Sequence, residues 1–215
     1  MTITLYGRAS SNNVQKVLWA LGELGLAYEH VPLGGRFGGS KTAEYLAKNP
    51  NGVVPTLTDG GLVVWESHAI VRYLAATYGA GTLWPEDPRA RAAADQWTDW
   101  TATTFQPPWI GVFWNLVRTP EAQRDRALIE AGIAETERCL TILDGQLAKT
   151  RFVAGDGFTY ADIAPGVAMY RWSTMTIARQ PHPNVERWHR QLQERQAFRD
   201  AVEVDYGELV GRLAF

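Results

Sequence analysis

A chain of 215 residues, 46% hydrophobic and 20% charged, is long enough for one large globular domain or two small ones around a well-buried core. A net charge of −2 without a basic tract excludes nucleic-acid binding by phosphate neutralisation. The single cysteine, Cys139, excludes an internal disulfide, a paired-cysteine redox motif and a cysteine-based zinc site.

Ile3 and Leu5 alternate with Thr4 and Tyr6, which predicts a strand. Over residues 12–25, Val14, Val17, Leu18, Leu21 and Leu24 form one helical stripe, with Gly25 suited to a stop. Residues 28–31 predict a second strand, a glycine-rich loop runs over 34–39, and a short helix over 42–48 ends before Pro50. Residues 55–57 and 62–64 predict a hairpin around Asp59-Gly60-Gly61. Residues 67–78 predict a helix whose Ile70, Val71 and Leu74 face inward.

The resulting order is β-α-β-α-β-β-α. Gly81, Pro85 and Pro88 then break the pattern. Residues 1–79 are therefore expected to form an α/β domain, 80–88 a linker, and 89–215 an all-helical domain with helices over 89–105, 121–147, 160–170 and 184–193. The uncharged stretch 101–117 contains Pro107-Pro108 and several polar residues, and is too short to span hydrocarbon. A buried, interrupted helix is expected there, and no membrane association. Trp97, Trp100, Trp109 and Trp114 lie in or beside this stretch, where aromatics pack a core or line an apolar pocket.

Several familiar chemistries are absent. The run Gly35 to Thr42 departs from a phosphate-binding loop because Ser40, not glycine, precedes Lys41. His30, His68, His182 and His189 lack a metal-binding spacing, so no metal is expected. Arg187, Arg190 and Arg195 are mixed with acids and read as a solvated face. The first residues carry no positive region ahead of an apolar stretch, so no signal peptide is expected, and a cytoplasmic location is.

Four short motifs carry more information in their order than singly: Ser11-x-Asn13-x-x-Lys16-Val17, Val53-Val54-Pro55-Thr56-Leu57, Glu66-Ser67-x-Ala69-Ile70 and Thr159-x-x-Asp162. Ser11 stands where the first strand gives way to the first helix. There a serine either caps the helix or lends its hydroxyl, with the positive end of the helix dipole, to a bound anion. A thiolate at such a terminus is stabilised. Pro55 reads as an ordinary proline at the start of an edge strand or as a cis-proline. Glu66-Ser67 opens a helix, where N–H groups and a hydroxyl can hold a carboxylate. Thr159 and Asp162 have the spacing of a capping box, with Phe158 and Ile163 at the staple positions.

Together these motifs resemble the cytosolic glutathione transferase family, in a serine-type, theta- or nu-like bacterial form, across essentially the whole chain. The resemblance implies a thioredoxin-like first domain and a helical second one. It implies glutathione as co-substrate, with no metal. Ser11 and Asn13 then become the thiol-activating residues, with Tyr6 in reserve, since some classes use a strand tyrosine. Pro55 becomes a cis-proline that exposes the Val54 N–H and C=O to the tripeptide backbone, and Glu66 and Ser67 receive its γ-glutamyl end. Lys41 is left without a role.

A small apolar electrophile is expected between the domains against Trp109, Phe113 and Trp114. The resemblance also implies a homodimer with cross-contacts over 89–100, where Asp99 approaches the partner's glutathione. Glutathione-dependent disulfide reduction, isomerisation, or binding without catalysis remain alternatives, because a fold alone does not assign chemistry.

Overall fold

Strand β1 (Ile3–Tyr6) lies inside a four-stranded sheet of order β2-β1-β3-β4, in a computed structural model that describes residues 2–213. Met1, Ala214 and Phe215, at the ends of the two expected domains, lie outside the described residues. β2 (Tyr28–Val31) pairs parallel to β1, pairing Leu5 with His30. β3 (Thr56–Asp59) and β4 (Leu62–Trp65) run antiparallel, pairing Leu5 with Leu57 and Leu57 with Val64. The parallel pair needs a crossover, which α1 (Asn12–Glu23) provides; the antiparallel pair needs only the tight turn at Gly60-Gly61. Pro55 precedes β3 rather than opening it, because it has no N–H to give the ladder.

The stripe expected on α1 understates its burial. Val14 to Leu21 are all buried, Gln15 and Lys16 included. The helix packs against α3 (Ser67–Tyr78) and two helices of the second half, α7 (Tyr160–Thr174) and α9 (Gln196–Val202), and shares one apolar cluster with Ile3, Leu5 and Leu57 of the sheet. On α3, Ile70, Val71 and Leu74 face inward, as the pattern predicts. The short helix α2 (Ala43–Leu46) is capped by Thr42, whose hydroxyl accepts from the Tyr45 N–H at 3.3 Å.

The second half is helical. α4 (Pro88–Trp100) runs through a π-helical turn, Thr101–Phe105, into α5 (Gln106–Phe113), and a second π turn, Trp114–Arg118, follows. The interruption expected in this stretch is therefore a change of helical pitch. Its cause is local: Pro108 has no N–H for the Thr104 carbonyl four residues back. The buried Cys139 thiol approaches that carbonyl instead, at 3.7 Å. α6 (Arg126–Leu147) begins later than expected, because Asp125 caps it by accepting from the Leu128 N–H at 3.1 Å and residues 121–123 form only a 3₁₀ turn. α7 runs four residues past its expected end, α8 (Pro183–Gln193) begins one residue early, and α9 has no counterpart among the expected helices. Among the described residues no helix is long and apolar enough to cross a membrane.

The capping box forms at the start of α7. The Thr159 hydroxyl accepts from the Ala161 N–H at 3.3 Å, and Asp162 accepts from the Thr159 N–H at 3.0 Å. Thr159→Ala is expected to lower stability by about 0.5–2 kcal/mol, read from the urea midpoint, with no change in ligand affinity.

Candidate active site

Between the two halves lies a cleft of about 330 Å³. Its floor comes from the loop after β1, the glycine-rich loop and the residues before β3. Its roof comes from α5, the turn after it, α7 and Leu209. The floor is shaped by close backbone approach. A Cβ on Gly7 would lie 2.4 Å from Val14 and 3.2 Å from Val54, so only glycine lets β1, α1 and the Val54 loop converge.

Ser11 occupies the N-cap position of α1, and its hydroxyl makes no capping bond. It lines the cleft together with Asn12, Asn13, Val53 and Val54. The hydroxyl is thus available beside the positive end of a 12-residue helix. Its neighbour Ser10 is engaged elsewhere: its hydroxyl bonds the Glu208 carboxylate, and its carbonyl accepts from Arg171 at 2.7 Å. Tyr6 turns to another side, its ring 6.3 Å from that of Tyr45 and 5.8 Å from the Lys48 ammonium, and it does not line the cleft.

The Val54–Pro55 peptide bond is cis. Val54 lines the cleft, and its N–H and C=O take no hydrogen-bond partner among the described residues. By contrast the Val53 carbonyl is held by the Tyr45 hydroxyl at 2.8 Å and by the Asn49 amide at 2.9 Å, which steadies the loop. Ser67 begins α3 with Glu66 as its N-cap residue, and neither is among the residues that line the cleft. Ser67 is buried, whereas Glu66 is exposed and holds a φ of 71°, a left-handed conformation unusual for a side-chain-bearing residue. Strain of this kind gathers at functional positions. Lys41 donates to the Asn51 carbonyl at 3.1 Å.

Trp109, Phe113 and Trp114 all face the cleft. The first two are also core residues, while Trp114 is 42% exposed. Three arginines that the sequence did not single out join them: Arg8, Arg118 and Arg171. Arg171 is buried, its guanidinium 4.3 Å from the Tyr206 ring centre, and burial lowers its pKa to about 10. A charge in the largely apolar run that follows Asp162 in α7 is the available signal. Arg118 stacks on Trp114 at 3.8 Å and donates to the Arg212 and Leu213 carbonyls. Behind Asn13 lies a further polar cluster of Lys16, His68 and Gln106, the last two not singled out by any motif. Asp99 bonds Arg72 of its own chain.

The cleft, the cis-proline loop and the serine at a helix terminus are accompanied by sequence matches over both halves. Residues 5–82 match the model for the glutathione S-transferase N-terminal domain, and 126–191 that for its C-terminal domain. The chain belongs to the glutathione S-transferase family. It is 45% identical over 202 residues to glutathione S-transferase GstB of Escherichia coli strain K12, covering 93% of this chain and 97% of that one. Glutathione S-transferase 4 of Zea mays is 32% identical over 199 residues, covering 91% and 89%. Among solved structures, the theta class glutathione S-transferase of the citrus canker pathogen Xanthomonas axonopodis pv. citri, with glutathione bound, superposes with a TM-score of 0.92 at 45% identity. It covers 95% of this chain and 98% of that one. These matches make the chain a transferase of the thioredoxin-like and helical two-domain architecture.

Proposed function

We propose that the cleft binds glutathione along its floor and ionises the thiol beside Ser11 and Asn13, for attack on a small apolar electrophile held by Trp109, Phe113 and Trp114. The observation that carries this reading is Ser11 itself. Ser11 lines the cleft at a helix N-terminus, and its hydroxyl is not spent on capping that helix. A hydroxyl donor and the helix dipole both favour the thiolate over the thiol. The Val54 N–H and C=O are left to pair with the tripeptide backbone as an added strand. Ser67 and the first N–H groups of α3 take the γ-glutamyl carboxylate, and Glu66 its ammonium. The electrophile then meets the sulfur from the aromatic roof, where shape and apolar contact select it.

The test is retention on immobilised glutathione with competitive elution, followed by turnover over a panel of electrophiles. Binding with turnover is expected. Binding without turnover across the panel would replace catalysis by a binding role.

The same proposal includes a homodimer in the cytoplasm, with the Arg72, Asp95 and Asp99 cluster near the partner. Arg72 donates to Asp95 at 2.7 Å and also bonds Asp99, whose side chain is 67% exposed. Sedimentation at micromolar concentration is expected to give twice the chain mass, and a monomer there would remove this part of the proposal.

A further inference from the structure

Lys16 is sealed from solvent, at 1% exposure, and the chemistry described so far gives it no part. Its Nζ donates to three acceptors: Asn13 Oδ1 at 3.0 Å, His68 Nε2 at 2.9 Å and Gln106 Oε1 at 2.7 Å. In its charged form Lys16 has three N–H bonds and no acceptor, so the set is then complete and dictates how each partner is turned. The Asn13 amide must present its oxygen to Lys16. His68 must offer a bare Nε2 and carry its proton on Nδ1. The three partners come from α1, the first turn of α3 and the start of α5, so one ammonium ties together both domains.

All three partners are neutral. Burial, with the charges of Lys16 and Arg72, holds His68 down at about 2. Burial also lowers the Lys16 pKa to about 7, with Glu66 opposing the shift. A buried cation among neutral groups stabilises a fold poorly, and an apolar side chain of similar length would serve packing as well or better. Stability therefore does not account for it.

Asn13 lines the cleft beside Ser11. Its Oδ1 accepts from Lys16 at 3.0 Å and, over a longer 3.4 Å, from Asn12 Nδ2, so the two amide N–H bonds are what Asn13 has left for a ligand. An untethered amide could turn over and present its oxygen, which repels an anion. We propose that Lys16 is a positioning residue for thiol activation: it holds the Asn13 amide with its nitrogen toward the glutathione sulfur. This rests on the glutathione reading above.

The experiment follows thiolate absorbance of bound glutathione against pH, with steady-state kinetics, in the native chain, Asn13→Ala, Lys16→Met and the double variant. Each single variant is expected to raise the bound-thiol pKa by about one unit, roughly the effect of one hydrogen bond to a charge. Each should also lower kcat about tenfold with little change in KM for glutathione. Because Lys16 acts through Asn13, the double variant should be no worse than Asn13→Ala alone. Additive effects, or an unmoved pKa in Lys16→Met, overturn the proposal.

Should Lys16→Met not fold, Asn13→Asp keeps the bond to Lys16 and sets a carboxylate beside the sulfur. It is expected to raise the thiol pKa more than Asn13→Ala does, and an equal or smaller rise overturns the proposal. A native chain with no bound thiolate overturns the glutathione reading and this proposal with it. A native thiolate that Lys16→Met leaves unmoved overturns this proposal alone.

Discussion

Ser11→Ala is expected to cut turnover about ten- to a hundredfold while leaving glutathione affinity close to native. Ser11 is the N-cap residue of α1 and lines the cleft, and its hydroxyl makes no capping bond, so its removal leaves the helix unchanged and costs only what it gave the ligand. A hydrogen bond to a charged group contributes about 1.5–3 kcal/mol, and each 1.36 kcal/mol is about tenfold in rate. The loss falls on kcat because the bond is made to the ionised sulfur, while most of the binding contacts are made to the peptide. The bound-thiol pKa should rise in the same variant, measured by thiolate absorbance. Tyr6→Phe is the control, since that ring packs against Tyr45 and Lys48 outside the cleft. A pKa that moves in Tyr6→Phe and stays in Ser11→Ala would reverse the assignment.

The second large effect concerns stability. Asp162 is fully buried and accepts three hydrogen bonds, from the Val153 N–H at 2.9 Å, the Thr159 N–H at 3.0 Å and Trp188 Nε1 at 2.9 Å. One carboxylate therefore joins the loop before α7, the first turn of α7 and a buried tryptophan of α8. Asp162→Ala leaves three buried donors without an acceptor, and a loss of about 3–5 kcal/mol is expected. Unfolding in urea at pH 8, followed by tryptophan fluorescence, measures it. A loss below about 1 kcal/mol would show that water or a shifted backbone replaces the acceptor.

The pH dependence supplies a second check. Burial raises the Asp162 pKa to about 6 from the usual 3.8, against the pull of its three donors. A folded-state pKa above the unfolded one favours the fold most at low pH. The part of its contribution that depends on protonation is full below about pH 4 and is lost as pH climbs through about 6, while the three accepted hydrogen bonds persist at pH 8. Between about pH 4 and 6 the native chain should lose stability with rising pH on this account, and Asp162→Ala should lack that slope.

Much of this protein was legible from local pattern. Alternation marked β1, glycines marked the hairpin turn, and the spacing of Thr159 and Asp162 marked a capping box that the structure forms. Each depends on residues within a few positions of one another, where a period of two, a period of 3.6 or a cap is enough to decide the backbone. The same locality explains why Ser11, Asn13 and Val54 could be marked as candidates, since each belongs to a short motif at the end of an element.

Packing between distant segments decided the rest. Trp19 and Lys16 are buried on α1 because helices from the second half close over it, which no stripe of five apolar residues could announce. Arg171 reaches the Ser10 carbonyl across 161 positions, and Lys16 finds His68 and Gln106 across 52 and 90. A polar side chain carries no mark of its partner in the sequence. Whether it is solvated or sealed depends on which surfaces meet around it, and only the assembled fold brings those surfaces together.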